Sequence, residues 1–439
     1  MNHSRRFWRL TTSSSALASS LLLACGPAPR AAEVGDGDYV EVDPVSAQPL
    51  APDGGSSAAR PADAGRTFGE AAATVASEAT ASVEDASVVD RGDDGGAAGL
   101  AIHVSGHHLI DASHAPVVLR GADVSGTESA CAQNYTMDPF GGAPLASPST
   151  FQAMRAWNIN VIRLPLNEDC WLDINGVEVG GAAYQAAIKA EVSAAHGAGL
   201  FVILDLHWTA PGSQLALSQN PEPDADHSPA FWSSVASTFE SDPAVIFDLF
   251  NEPYDYWGTD PDPWNGWLNG DVQSQYITGG TPYTVSASWR TAGMQQLLTA
   301  VRSAGATQPI LINGLDWAND DSGWLTHAPI DPLGQIIVGA HIYPGESCDA
   351  ASCWEGVFPA IGAQYPILIG ETGDLSATPS TFLPGFLSYA DTQGWNYLAW
   401  TWNPWQDPSY VLITDWAGTP TAGEGVAWQQ HLQAVPFHN

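Results

Sequence analysis

The chain has 439 residues, enough for two average domains or one large barrel with a tail. Only 13 Lys and Arg stand against 48 Asp and Glu, a formal charge of -35, which argues against nucleic acid as a partner because phosphate binding needs clustered cations. A hydrophobic content of 44% allows a sizeable core, and 18 Trp is a high count.

The N-terminus reads as an export signal. Arg5, Arg6 and Arg9 precede a short, mostly apolar run at 16–24, too short to anchor stably across a bilayer. The run ends Leu22-Leu23-Ala24-Cys25-Gly26, which resembles a bacterial lipobox. That resemblance implies cleavage before Cys25, acylation of its thiol, and an exported lipoprotein at the cell envelope or surface. An ordinary signal peptide leading to secretion is the alternative. The only membrane contact expected is through that lipid anchor at Cys25. Residues 26–98 are rich in Ala, Gly, Ser, Pro and acidic residues and almost free of aromatics, so they read as a disordered acidic linker.

Beyond Cys25 there are four cysteines, Cys131, Cys170, Cys348 and Cys353. An even number in an exported chain suggests two disulfides. Cys348 and Cys353 lie within one loop, which pairs them and leaves Cys131 for Cys170. A zinc site built from all four is the rival, but no C-x-x-C pair occurs.

The folded part is expected over 99–439. It opens with a short hairpin, in which 100–104 and 117–119 flank a turn-rich stretch at 106–116. Apolar strand-like runs then recur at 118–123, 160–166, 200–207, 245–251, 309–315, 336–343, 366–371 and 396–402. Helical segments are expected between them at 149–157, 182–198, 229–240, 286–303, 353–364 and 381–392, with a closing helix at 425–434. Eight strands alternating with helices predict an α/β fold, a (β/α)8 TIM barrel, with extra length in the loops after strands one, four and eight. A doubly wound open sheet is disfavoured because no G-x-G-x-x-G follows strand one.

The C-terminal tips of these strands are unusually polar. Strand two ends Arg163-Leu164-Pro165, strand three Asp205-Leu206-His207-Trp208 and strand four Asn251-Glu252-Pro253. Strand six ends His341-Ile342-Tyr343, strand seven Gly370-Glu371-Thr372 and strand eight Trp400-Thr401-Trp402. Such residues are costly in a core unless paired, and their shared position implies one site at the barrel mouth. Glu252 and Glu371 lie on opposite sides of a closed barrel and can point across the mouth at each other, as glycoside hydrolysis requires. Arg163 can hold Glu371 ionised, Tyr343 can donate to it, and Asn251 can bind a sugar 2-hydroxyl. His207 and His341 can bind hydroxyls or orient the carboxylates. Trp400 can floor the reacting sugar, with Trp208 beside the cleft.

These tips together resemble glycoside hydrolase family 5, the cellulase-type enzymes of clan A, over about residues 100–435. The resemblance implies Glu252 as acid/base, Glu371 as nucleophile and net retention, and it places Arg163, His207, Asn251, His341, Tyr343 and Trp400 on recurring site positions. The sequence departs from the pattern at the end of strand one, where Asp123 stands in place of Asn. The expected activity is that of an endo-β-1,4-glucanase on plant-type β-glycans, with no cofactor, no catalytic metal and a monomeric state. Mannan, xylan, branched glucan and glycolipid are the alternative substrates, and a non-catalytic surface carbohydrate-binding protein is the alternative from another class.

Other candidates read as structural. Asp205 and Asp248 sit inside strands and need buried partners. Glu168 and Asp169 read as a surface loop or substrate rim, Glu346 and Asp374 as loop carboxylates, and His107, His108 and His114 as solvated at the far end of the barrel. His227 reads as preceding a helix capped by Ser228, with Pro229 in its first turn. Trp257, Trp264, Trp267, Trp317, Trp354 and Trp405, with Tyr254 and Tyr256, lie in loops after the tips as either cleft lining or loop packing.

Overall fold

The computed structural model describes residues 99–132, 147–255, 260–278, 284–405 and 410–436. The expected signal segment, Cys25 and the linker at 26–98 lie outside them. Among the described residues, no helix is long and apolar enough to cross a membrane.

The first three strands form a small antiparallel sheet, β1 (Ile102–Ser105), β2 (His108–Asp111) and β3 (Pro116–Val117). The stretch expected as a long turn thus contains a strand of its own. Asp111 closes the turn after β2, its Oδ1 accepting from the Ser113 and Ala115 amides.

Eight parallel strands follow and close into a barrel: β4 (Arg120–Asp123), β5 (Val161–Asn167), β6 (Phe201–Trp208), β7 (Val245–Asp248), then β10 (Ile310–Asn313), β11 (Ile336–His341), β12 (Ile367–Glu371) and β13 (Asn396–Ala399). Between β7 and β10 an antiparallel hairpin intervenes, β8 (Gly270–Thr278) and β9 (Thr284–Ala292). The helix expected over 286–303 is only Met294–Ser303, because its first half is β9. Thr284, Val285, Trp289 and Thr291 are β-branched or aromatic and pair readily on a pleated surface. The other expected helices are present as Pro148–Ala156, Ala182–Gly197, Ser228–Phe239, Ala351–Gly362, Leu383–Gln393 and Glu424–Ala434.

Side chains along each barrel strand alternate between two cores. Outward residues such as Ile162, Val202, Phe247 and Ile369 pack against the helices. Inward residues Leu119, Val161, Ile203, Ile246, Leu311, Ile337, Leu368 and Leu398 form an apolar layer, sealed from below by Ile102, Val104, Leu109 and Val117 of the small sheet. The Ile102 amide donates to the Pro243 carbonyl at 2.9 Å and the Val104 amide to Gln335 Oε1 at 2.7 Å, which pins this plug to the barrel floor. His107, His108 and His114 are exposed beneath it.

Cys131 is bonded to Cys170, joining the loop after β4 to the short helix Glu168–Leu172 after β5, and Cys348 is bonded to Cys353. The first bond spans 39 residues and the second 5. Loop-closure entropy therefore predicts that Cys131→Ser with Cys170→Ser costs about 4 kcal/mol and Cys348→Ser with Cys353→Ser about 2 kcal/mol. Urea unfolding of the two double variants checks the order, and equal losses contradict it.

Candidate active site

The site begins two residues above the apolar layer. One period of alternation up from Val161, Ile203, Ile246 and Leu311 stand Arg163, Asp205, Asp248 and Asn313, all fully buried. Asp123 joins them from β4. Arg163 is the centre of this ring. Its Nε donates to Asp248 Oδ2 at 2.9 Å, its Nη1 to Asp123 Oδ1 at 2.9 Å and Glu371 Oε1 at 2.8 Å, and its Nη2 to Asn251 Oδ1 at 2.8 Å. Nη2 also lies 3.1 Å from Asp205 Oδ2. Asp205 and Asp248 thus find in Arg163 the partner their burial demands.

One guanidinium faces four carboxyl groups. Burial pushes Asp123 and Asp248 well above the usual carboxylate range and Asp205 up to about 7, each opposed by the charge of Arg163. These shifts favour the protonated form of the Asp side chains, the direction that relieves the excess negative charge. The second oxygen of Asp123 and the second oxygen of Asp205 are buried without a hydrogen-bond partner.

Glu252 and Glu371 meet above this ring. An oxygen of each, with a ring nitrogen of His341, lie within 4.8 Å of one another. Their surroundings differ. Glu371, nearly buried, is held by Arg163 and by the Tyr343 hydroxyl, which donates to Oε2 at 2.8 Å. Burial and the Glu371 charge keep the Tyr343 phenol protonated as a donor. Among the described residues, Glu252 has no Arg or Lys bonded to it. Its Oε1 lies 2.8 Å from His341 Nδ1, and its Oε2 accepts from Gln219 Nε2 at 3.1 Å. Burial raises the Glu252 carboxyl, while the Gln219 bond lowers it. Burial also depresses His341 to about 3, so at neutral pH it is a neutral ring that shares one hydrogen bond with Glu252 through Nδ1. Gly370 is needed beside it, since a Cβ there would sit 2.9 Å from His341 Nε2.

The backbone explains the aim of these groups. Ladder geometry ends at Asp248 in β7, but the Leu249 amide still donates to the Leu311 carbonyl and the Asn251 amide to the Leu206 carbonyl. The segment therefore stays extended to its tip, and Glu252 is delivered at the mouth. Asn313 Nδ2 donates to the Asn251 carbonyl at 2.9 Å and to Asp248 Oδ1 at 3.0 Å, tying the tip to the ring. Asn251, with Oδ1 committed to Arg163, turns its Nδ2 the other way, 3.3 Å from Gln219 Oε1. His207 Nδ1 lies 2.6 Å from Asp205 Oδ2, and its ring stacks on Trp400 at 5.6 Å and 9°. Trp208, at the end of β6, is partly exposed outside this group.

Gln219 and Asn313 carry no sequence motif. Asn313 has a signal nonetheless, its inward parity one step above Leu311. Gln219 has none, because it lies in the long segment after β6.

Several loop residues fall differently from their sequence reading. Glu168 and Asp169 are fully buried rather than on a rim: Glu168 accepts from the Ala210 amide and Ser228 Oγ, and Asp169 from the Ala216 amide. The helix at 228–239 starts one residue early, with His227 at the cap position, since the Ser228 hydroxyl is drawn inward to Glu168. Trp267 and Trp354 are core. Trp317 is 40% exposed and stacks on Tyr254 at 4.2 Å and 15°, presented by three successive left-handed residues, Asp316, Trp317 and Ala318. Trp405 is also exposed at the mouth loops, and Tyr256 and Trp257 lie outside the described residues.

Three groups among the described residues bring potential metal ligands together: Glu252, His341 and Glu371; Glu168, Asp169 and His227; and Asp224, Asp226 and His227.

The family description Cellulase (glycosyl hydrolase family 5) matches residues 110–406. The chain belongs to glycosyl hydrolase family 5. Among similar family proteins, Endoglucanase CelA of Streptomyces lividans is 21% identical over 282 residues, covering 63% of this chain and 50% of CelA. The manganese dependent endoglucanase Eg5A of Phanerodontia chrysosporium is 24% identical over 237 residues, 51% of this chain and 53% of Eg5A. The chain thus spans about half the length of these curated relatives. Two family barrels superpose on it: the β-glucanase SdGluc5_26A of Saccharophagus degradans, with TM-score 0.55 and 20% identity over 76% of this chain and 93% of that one, and the hyperthermophilic endocellulase of Pyrococcus horikoshii, with TM-score 0.57 and 15% identity over 76% and 99%.

A hydrogen bond donated to a carboxylate favours its ionised form. Removing the Gln219 amide therefore raises the Glu252 pKa further. If protonated Glu252 is required for turnover, Gln219→Ala moves the alkaline limb of the kcat/KM pH profile to higher pH. A limb that stays in place or moves to lower pH contradicts the contact.

Proposed function

We propose that this protein is a retaining β-glycoside hydrolase of plant-type β-glycans, foremost an endo-β-1,4-glucanase. One observation carries the reading: two carboxyl groups within 4.8 Å, one bonded to a guanidinium and a phenol, the other to a neutral imidazole and an amide. Oxygens this close accord with the roughly 5–5.5 Å separation of retaining pairs rather than the roughly 6.5–9.5 Å that leaves room for water in inverting ones.

In this mechanism Glu371 attacks the anomeric carbon while Glu252 gives its proton to the leaving oxygen. The raised pKa of Glu252 suits a group that must start protonated. A glycosyl ester on Glu371 forms and the aglycone departs. Glu252, now ionised, takes a proton from water, which attacks the same carbon and frees Glu371 with net retention. Asn251 Nδ2 is oriented by the bond from Arg163 to Oδ1 and binds the 2-hydroxyl. His207 and Trp400, stacked on each other, form the floor of the reacting sugar, and Trp208 and the Trp317 platform extend the cleft.

The glucan preference rests on the endoglucanase names of similar proteins. Mannan is the nearest alternative, since a mannan endo-1,4-beta-mannosidase of Streptomyces lividans is 25% identical over 160 residues. The reading also holds that the chain is exported, with Cys25 acylated and residues 26–98 as the tether between lipid and barrel.

Reducing-sugar assays on cellulose derivatives, mannan, xylan and mixed-linkage glucan test it. Glu252→Gln should lower turnover on the best substrate by about 10²–10⁴-fold. Glu371→Gln should lower it on the order of 10⁴-fold or more, both variants keeping the wild-type circular dichroism spectrum. Binding without product on every glycan would favour a carbohydrate-binding role instead.

A further inference from the structure

A second cavity lies outside the residues of the cleft. Its volume is about 470 Å³, within the range of small-ligand pockets. It is walled on one side by the segment after β6, with Pro211, Ser213 and Gln214, and on the other by β9, with Ser288, Trp289 and Arg290. The two walls are stitched together by backbone pairing: the Ala225 amide donates to the Arg290 carbonyl and the Ala292 amide to the Pro223 carbonyl, both at 2.9 Å. Asp224 and Thr291 form an antiparallel bridge between them.

The free chemistry of this groove is neutral. The Ser213 and Ser288 hydroxyls, both exposed, and the half-buried Gln214 amide line it, and among the described residues the buried indole N–H of Trp289 has no hydrogen-bond partner. The cation of the groove is already committed. Arg290 is paired with Asp271, and Asp226 accepts from the Gly212 amide at 2.8 Å. An anionic ligand would find no unpaired cation, whereas a ligand with many hydroxyls would find donors and acceptors beside Pro211 and Trp289. An overall charge of -35 also disfavours anions.

The same segment runs from His207 and Trp208 at the cleft, past Pro211 and Gln214 at the groove, to Gln219, which touches Glu252. We propose that the groove between 211–214 and β9 is a second binding site for a neutral oligosaccharide stretch of the polymer, separate from the cleft. This deepens the hydrolase reading and rests on it for the identity of the sugar. A glycan chain seated there is held beside the loop that supports Glu252, which favours long substrates over short ones.

The test uses the full chain. With Glu371→Gln to stop turnover, calorimetric titration with cellotetraose, mannotetraose and xylotetraose should give two sites for at least one sugar. Adding Ser288→Trp, at an exposed strand position where Trp is well tolerated, fills the groove and should leave one site. Gln214→Ala is the second variant and should weaken the second site about tenfold. In the active chain, either change should raise KM on the polymer several-fold and leave kcat/KM on a short aryl glycoside unchanged. One site for all three sugars, or polymer kinetics unaffected by both variants, overturns the groove proposal. If no glycan is hydrolysed but two sites titrate, the hydrolase reading fails and the groove stands.

Discussion

A fully buried arginine shared among four carboxyl groups is the constraint on which the rest of this site depends. Arg163 contacts Asp123, Asp205, Asp248 and Glu371, together with the amide of Asn251. A lone cation in such a place would cost several kcal/mol of desolvation, and so would each unpaired carboxylate. Together they offset one another only if their geometry is kept and part of the negative charge is neutralised by protons. The ring therefore fixes the barrel strands that contribute to it. Displacing any one of β4, β5, β6 or β7 leaves a buried charge without its partner.

That ring separates two kinds of interior. Below it the barrel is apolar and plugged by the small sheet; above it stand Glu252, Glu371, His341 and Tyr343. The alternation of strand side chains produces the change in a single step, because on β5, β6, β7 and β10 the inward position after the apolar residue is polar. The difference between the two glutamates follows from the same layering. Glu371 reaches down to Arg163 and accepts from its guanidinium and from the Tyr343 hydroxyl. Glu252 is delivered from an extended tip, and burial raises its carboxyl pKa against the opposing bond from Gln219.

Much of this was legible in the sequence. The polar tips at Arg163, His207, Asn251, Glu252, His341, Tyr343, Glu371 and Trp400 were readable because they interrupt apolar runs where a strand should end. The pairing of Asp205 and Asp248 with a buried partner followed from their place inside strands. What was not legible depends on contacts between distant segments. Gln219 sits in a loop with no periodicity, and only the folded chain brings it to Glu252. Glu168 and Asp169 look like surface residues in a short polar run, yet the Ala210 and Ala216 amides and the Ser228 hydroxyl draw them inside. The hairpin of β8 and β9 was hidden because Ser, Ala and Gln between its β-prone residues fit a helix as well. Pairing with 223–225 tips the balance.

The central claim is that Glu371 becomes covalently attached to the sugar. A 2-deoxy-2-fluoro cellobioside with a good leaving group slows breakdown of that ester more than its formation. Incubation with the full chain, proteolysis and peptide mass spectrometry should then find one fluorocellobiosyl adduct, on the peptide that carries Glu371, and no adduct in Glu371→Gln. An adduct on another residue, or inverted product with no adduct although the chain hydrolyses the parent glycan, would contradict the account.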